Sequence, residues 1–143
     1  METARQLLGE KGHEIWSVSP DAPVLDAIKS MAEHGCGALL VMDADKLVGI
    51  ISERDYARKV ILKGKASNTT PVREIMSDRV VCAAPTQLVH DCMTLMTEKR
   101  IRHLPVVDDG KVLGVLSIGD LVRSIIADQQ GQIEQLEHYI AGG

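Results

Sequence analysis

Residues 37–58, GALLVMDADKLVGIISERDYAR, recur in register and without a gap as residues 102–123, RHLPVVDDGKVLGVLSIGDLVR. Each copy holds two apolar runs about a polar turn, Asp43-Ala44-Asp45 in the first and Asp108-Asp109-Gly110 in the second. Apolar runs of strand length on either side of turn residues predict a β-hairpin. The patterns over 54–62 and 119–127 predict a helix directly after each hairpin. Working outward, Pro20 matches Pro85, Val24 Val89, Asp26 Asp91, Met31 Met96 and Glu33 Glu98, so the repeat reaches back through a helix to short β-prone runs at 15–18 and 80–83. The repeating unit is therefore βαββα. Its first crossover makes the first two strands parallel, and the hairpin adds an antiparallel third. The expected fold class is α/β, built from two such units in tandem.

Upstream the repeat continues at a shifted offset, because Ala4-Arg5-Gln6-Leu7-Leu8 resembles Val72-Arg73-Glu74-Ile75-Met76. Each unit is thus expected to open with a short helix, with Thr70 as N-cap and Pro71 at the first helical position of the second. The stretch 63–70, rich in Lys, Gly, Ser, Asn and Thr, reads as a flexible connection. The expected division is 1–65 for the first unit, 66–128 for the second and 129–143 for a C-terminal helical tail. In that tail Ile126, Ile133, Leu136 and Ile140 keep a period near 3.5 residues, interrupted by Gly131, as in a helix that lacks a partner. A homodimer is expected on that ground.

The chain has 143 residues and a formal net charge of −4, with both signs interspersed. That balance disfavours nucleic acid and membrane surfaces, both of which usually select a basic excess. Glu2, Arg5, Glu10 and Lys11 break up the N-terminal apolar residues, against a signal peptide or membrane span, and the expected location is the cytoplasm. Cys36, Cys82 and Cys92 lack Cys-x-x-Cys spacing and are expected to be reduced, packed thiols, with no metal site. Without Phe, the core must come from Leu, Ile, Val, Met and Ala.

Each copy of the quoted stretch carries Gly-x-x-Ser-x-x-Asp near its end: Gly49, Ser52, Asp55 and Gly114, Ser117, Asp120. One reading is helix capping, worth about 1 kcal/mol per site, with the carboxylate at the positive helix end. The other is ligand binding: backbone donors and dipole favour an anion, and a carboxylate can accept from two vicinal hydroxyls, as on ribose. Gly49 and Gly114 fit close ligand approach or relief of crowding equally well.

In order, duplication and spacing these segments, with SVSPDAPVLDAI and VCAAPTQLVHDCM before them, resemble the paired cystathionine-beta-synthase (CBS) domain, or Bateman module, over nearly the whole chain. The resemblance implies a pseudo-twofold pair of βαββα units, with an adenosine ligand in the inter-unit clefts. AMP is favoured; ADP, ATP, NAD and S-adenosylmethionine are alternatives. It implies a regulatory, signal-transducing sensor without chemistry of its own. Carried over by residue, Asp55 and Asp120 would take ribose hydroxyls, and Ser52 and Ser117 ribose or phosphate. Trp16, Ser17, Val18, Ala38 and Leu39, with Val81, Cys82, Ala84, Leu104 and Pro105, would hold the base. Arg102 and His103, likewise implied as phosphate contacts, align with Gly37 and Ala38, so the two sites cannot be equivalent; Arg54, opposite Gly119, is a compensating cation for the first.

Three other functions compete with a stand-alone adenine-nucleotide sensor. A ligand-free interaction module would use the Ser-x-x-Asp elements only as caps. An enzyme is disfavoured because no nucleophile elbow, metal-ligand spacing or Walker loop is present. Nucleic-acid binding through Lys59, Lys63, Lys65, Arg100 and Arg102 would show a steep salt dependence. The effector that would receive the signal is not identified by any motif.

Overall fold

The computed structural model describes residues 2–142. In chain order the elements are α1 (Ala4–Lys11), β1 (Ser17–Val18), α2 (Val24–His34), β2 (Ala38–Asp43), β3 (Lys46–Ser52), α3 (Glu53–Tyr56) continued by a π-helical turn Ala57–Ile61, a 3₁₀ turn Val72–Glu74, α4 (Val89–Lys99), β4 (His103–Asp108), β5 (Lys111–Ser117) and α5 (Ile118–Gly142). The fold is mixed α/β, as expected. It divides into two compact units, one of Ile15–Val81, the other of the segment through Glu14 together with Cys82 onward.

In the first of these, β1 pairs parallel with β2 and β2 antiparallel with β3, so the predicted topology is present in full. In the other, β4 and β5 form the hairpin, with a register irregularity at Val106/Val107 that matches the one at Val41/Met42. The strand expected at 80–83 is reduced to a single parallel bridge, Ala83 to Val106. The cause is one residue. In the first repeat the Leu40 N–H donates to the Trp16 carbonyl at 3.1 Å; the residue matching Leu40 is Pro105, which has no N–H to give Val81.

The compact units cross the linear division at 1–65 and 66–128. The segment before each repeat docks on the other repeat, through the same bonds. The Ala4 and Arg5 N–H groups donate to Gln87 and Pro85, and Val89 N–H to Glu2; equivalently Val72 and Arg73 donate to Ala22 and Pro20, and Val24 to Thr70. Gly114 and Gly49 explain why. A Cβ on Gly114 would lie 2.7 Å from Leu8 Cδ2, and one on Gly49 2.5 Å from Met76 Sδ and 3.0 Å from the Ser77 carbonyl oxygen. Of the two roles open to these glycines, both therefore serve close packing of the docked segment.

Two local expectations are corrected. Thr70 does not cap a helix; its hydroxyl donates to the Ala66 carbonyl at 2.8 Å, and the short 3₁₀ turn begins after Pro71 without a side-chain cap. The stretch 63–70 is tied to its unit rather than loose, since Leu25 N–H donates to Ser67 and the Tyr56 and Ser67 hydroxyls lie 3.0 Å apart. Both cores are aliphatic: Val24, Met31, Leu39, Ile51 and Ile75 anchor one, Leu8, Met96, Leu104, Leu116 and Leu121 the other, all at most 2% exposed. Each such side chain contributes about 1.5–3 kcal/mol of burial.

Candidate functional site

Both Ser-x-x-Asp sequences form capping boxes where a hairpin runs into a helix. Ser52 N–H donates to Asp55 Oδ2 at 2.9 Å, and Asp55 N–H to Ser52 Oγ at 3.2 Å. In the other unit the bonds are 2.7 Å from Ser117 N–H to Asp120 Oδ2 and 3.2 Å from Asp120 N–H to Ser117 Oγ. The Glu53 N–H then reaches the Gly37 carbonyl and the Ile118 N–H that of Arg102. So the start of each hairpin lies beside the start of the helix that follows it.

The two carboxylates diverge in their partners. Asp55 is half-buried, and its additional partner is Lys59, 3.3 Å from Oδ1. Asp120 is 5% exposed and sits between two cations, Lys11 Nζ at 2.7 Å from Oδ2 and Arg123 at 2.6 Å from Oδ1. Burial alone would raise the Asp120 carboxyl. The hydrogen bond from Lys11, those from the Ser117 backbone and side chain, and the charge of Lys11 outweigh it and hold the group below its ordinary value. Lys11 also donates to the Val115 carbonyl. Asp120 borders a cavity of about 600 Å³ between α1 and α5, which Glu2, Glu10, Lys11, Arg123 and Ser124 also line. Within it Ser124 Oγ donates to Glu2 Oε1 at 2.5 Å.

Among the remaining predicted residues, Trp16, Ser17 and Val18 lie at the β1 edge, with Ser17 beside Leu40 in register. The Trp16 ring is stacked on His34, centroids 3.8 Å apart and planes 6° from parallel. Ala38 opens β2 opposite Ser52, while Leu39 is buried in the core. Arg54 is exposed at the start of α3. In the other unit His103 stands opposite Ser117 in the hairpin register, with exposed Arg102 just before it; Leu104 and Pro105 are buried. Val81 and Cys82 are half-buried and Ala84 is exposed; burial pushes the Cys82 thiol up. All three cysteines are free thiols. Among the described residues there is no cluster of metal-ligating side chains, and no helix is long and apolar enough to cross a membrane.

Sequence reasoning missed the cations on these carboxylates. Lys59 and Arg123 were legible, since a base three or four residues after an acid shares its helix face. Lys11 left no such signal, because only the docking of α1 brings it to Asp120.

The profile of the CBS domain matches residues 12–62 and 72–127. The chain belongs to the CBS-domain family. A pair of CBS domains is a regulatory module. The chain is 41% identical over 137 residues to the mitochondrial CBS domain-containing protein CBSX3 of Arabidopsis thaliana, covering 92% of this chain and 66% of that relative. It is similar to the structure of a putative signal-transduction protein with CBS domains from Burkholderia ambifaria: 53% identity, TM-score 0.85, 90% of this chain and 96% of that one. The CBS domain pair of protein MJ0100, in complex with 5-methylthioadenosine and S-adenosyl-L-methionine, shares the fold with a TM-score of 0.78 at 25% identity, covering 90% and 98% of the chains.

Proposed function

We propose that this CBS pair is a non-catalytic sensor of adenosine-containing ligands, with AMP the favoured ligand and ADP, ATP, NAD and S-adenosylmethionine its competitors. The reading rests on the Ser-x-x-Asp box at the foot of each hairpin, where a hydroxyl, a carboxylate and helix N–H groups meet. A carboxylate so placed accepts two vicinal ribose hydroxyls, and the helix start favours phosphate. The adenosine ligands in the complex of protein MJ0100 support the class. Arg102 and His103, beside Ser117, would favour phosphate in one unit, and Arg54 would serve the other. Binding that discriminates between two states of the protein shifts their populations and passes the signal to an effector.

One observation favours a second reading, an interaction module without ligand: both carboxylates are already satisfied within the protein, Asp120 by two cations. Calorimetry on ligand-stripped protein with AMP, ADP, ATP, NAD and S-adenosylmethionine at millimolar concentration separates the two. A sensor binds at least one with a dissociation constant of about 1 μM to 1 mM, roughly −8 to −4 kcal/mol. No heat with any of the five leaves the boxes as caps only.

A further inference from the structure

α5 is one continuous helix, Ile118–Gly142, and Gly131 does not break it. Up to Asp128 one stripe of the helix, including Leu121, Ser124 and Ile125, is buried or half-buried in its own unit, but every described residue from Gln129 on is exposed. A lone helix of this length is marginal in water, and Gly131 weakens it further. Such a segment needs a partner.

A separate stripe of the same helix says what kind. Val122, Ile126, Ile133, Leu136 and Ile140 are between 41% and 71% exposed. With Gln129 in the one gap, they alternate steps of four and three residues, the spacing of a left-handed coiled-coil seam. Ile126, Ile133 and Ile140 take one core position of the heptad, and Val122, Gln129 and Leu136 the other. Ile at the first with Leu at the second is the preference of parallel two-stranded coils.

The charges agree with self-pairing. After Arg123 the chain has no Lys or Arg, and its acids are Asp128, Glu134 and Glu137. Asp128 and Glu134 lie off the seam. Glu137 flanks it, and in a parallel pair would face Gln132 of the second copy, so no two acids meet. A basic partner helix would call for acids along the flanks, where Glu137 is the one acid beside Arg123, Ile125, Gln130, Gln132 and Tyr139. We infer that α5 forms a parallel, in-register coiled coil with α5 of a second copy of this chain, along Val122 to Ile140, about 28 Å of seam. Gln129, able to meet its own copy across the seam only in this register, sets the alignment.

Sedimentation of the whole chain at micromolar concentration should give twice 15.6 kDa. Leu136→Cys should crosslink to itself under mild oxidation while the wild-type chain does not, and Gln129→Leu should tighten the dimer about tenfold or more. Ile133→Asp with Leu136→Asp should yield a monomer whose two units melt as before. A monomeric wild type, a dimer that survives the double substitution, or a dimer in which Leu136→Cys fails to crosslink overturns the inference. Should the double variant misfold, a Gln129→Leu dimer no tighter than wild type overturns it equally.

Discussion

Asp55 and Asp120 occupy the same cap in the two repeats, yet only Asp120 is nearly buried between two cations. Its carboxyl titrates below the ordinary value, so its stabilisation is present above the unfolded carboxylate range near pH 4 and fades as pH falls through the folded value. Glu10 has the opposite sign. The hydrogen bond with Glu2, the charge of Glu2 and slight burial raise its carboxyl, so its contribution is complete below the unfolded value and is lost as pH rises through the folded one. Urea midpoints between pH 2 and pH 7 should show both. Asp120→Asn should cost about 1–3 kcal/mol at pH 7 and converge on wild type in acid. Glu10→Gln should be at least as stable as wild type at pH 7 and gain less on acidification. Arg100 supplies another test, since it ends α4 with φ 55° in the left-handed region, where the matching residue at the end of α2 is Gly35. Arg100→Gly should stabilise the fold by up to about 1–2 kcal/mol and so raise the denaturation midpoint.

Among the elements, the hairpins were legible because apolar runs on either side of a polar turn are a local signal, and their observed bounds follow those runs closely. The missing strand before α4 was legible as well, had Pro105 been read for its absent N–H. Docking of α1 and of the 72–76 segment was not, because both pack on the repeat they do not adjoin. Their glycines carry the prediction for this scale. Gly114→Ala should cost about 1–3 kcal/mol, most of it removed when Leu8 is also cut to Ala, because the clash is with that side chain. Gly49→Ala should cost more, since the Ser77 carbonyl oxygen it meets is backbone and yields less. Thermal melts of the four variants, Leu8→Ala included, give the coupling.

For the molecule as a whole, binding to the folded chain must appear as stability. At a hundredfold excess over the dissociation constant, an adenosine ligand should add about 2.7 kcal/mol and raise the melting temperature. Asp55→Ala is the clean probe in that assay. Its unliganded fold should lose about the 1 kcal/mol of a cap, whereas Asp120→Ala also breaks the ion pairs with Lys11 and Arg123, so a lost ligand shift there would be mixed with lost stability. If Asp55→Ala keeps the full shift, that carboxylate takes no ligand hydroxyl. The sequence by itself determined the duplication, the hairpins, the helices around them and both capping boxes, because each depends on residues within a few positions of one another. Tertiary structure alone decided that α1 and the 72–76 segment exchange repeats, that Gly49 and Gly114 receive them, and that Lys11 closes on Asp120. These depend on which surfaces meet, and a contact between residues far apart in the chain leaves no periodicity or spacing to read.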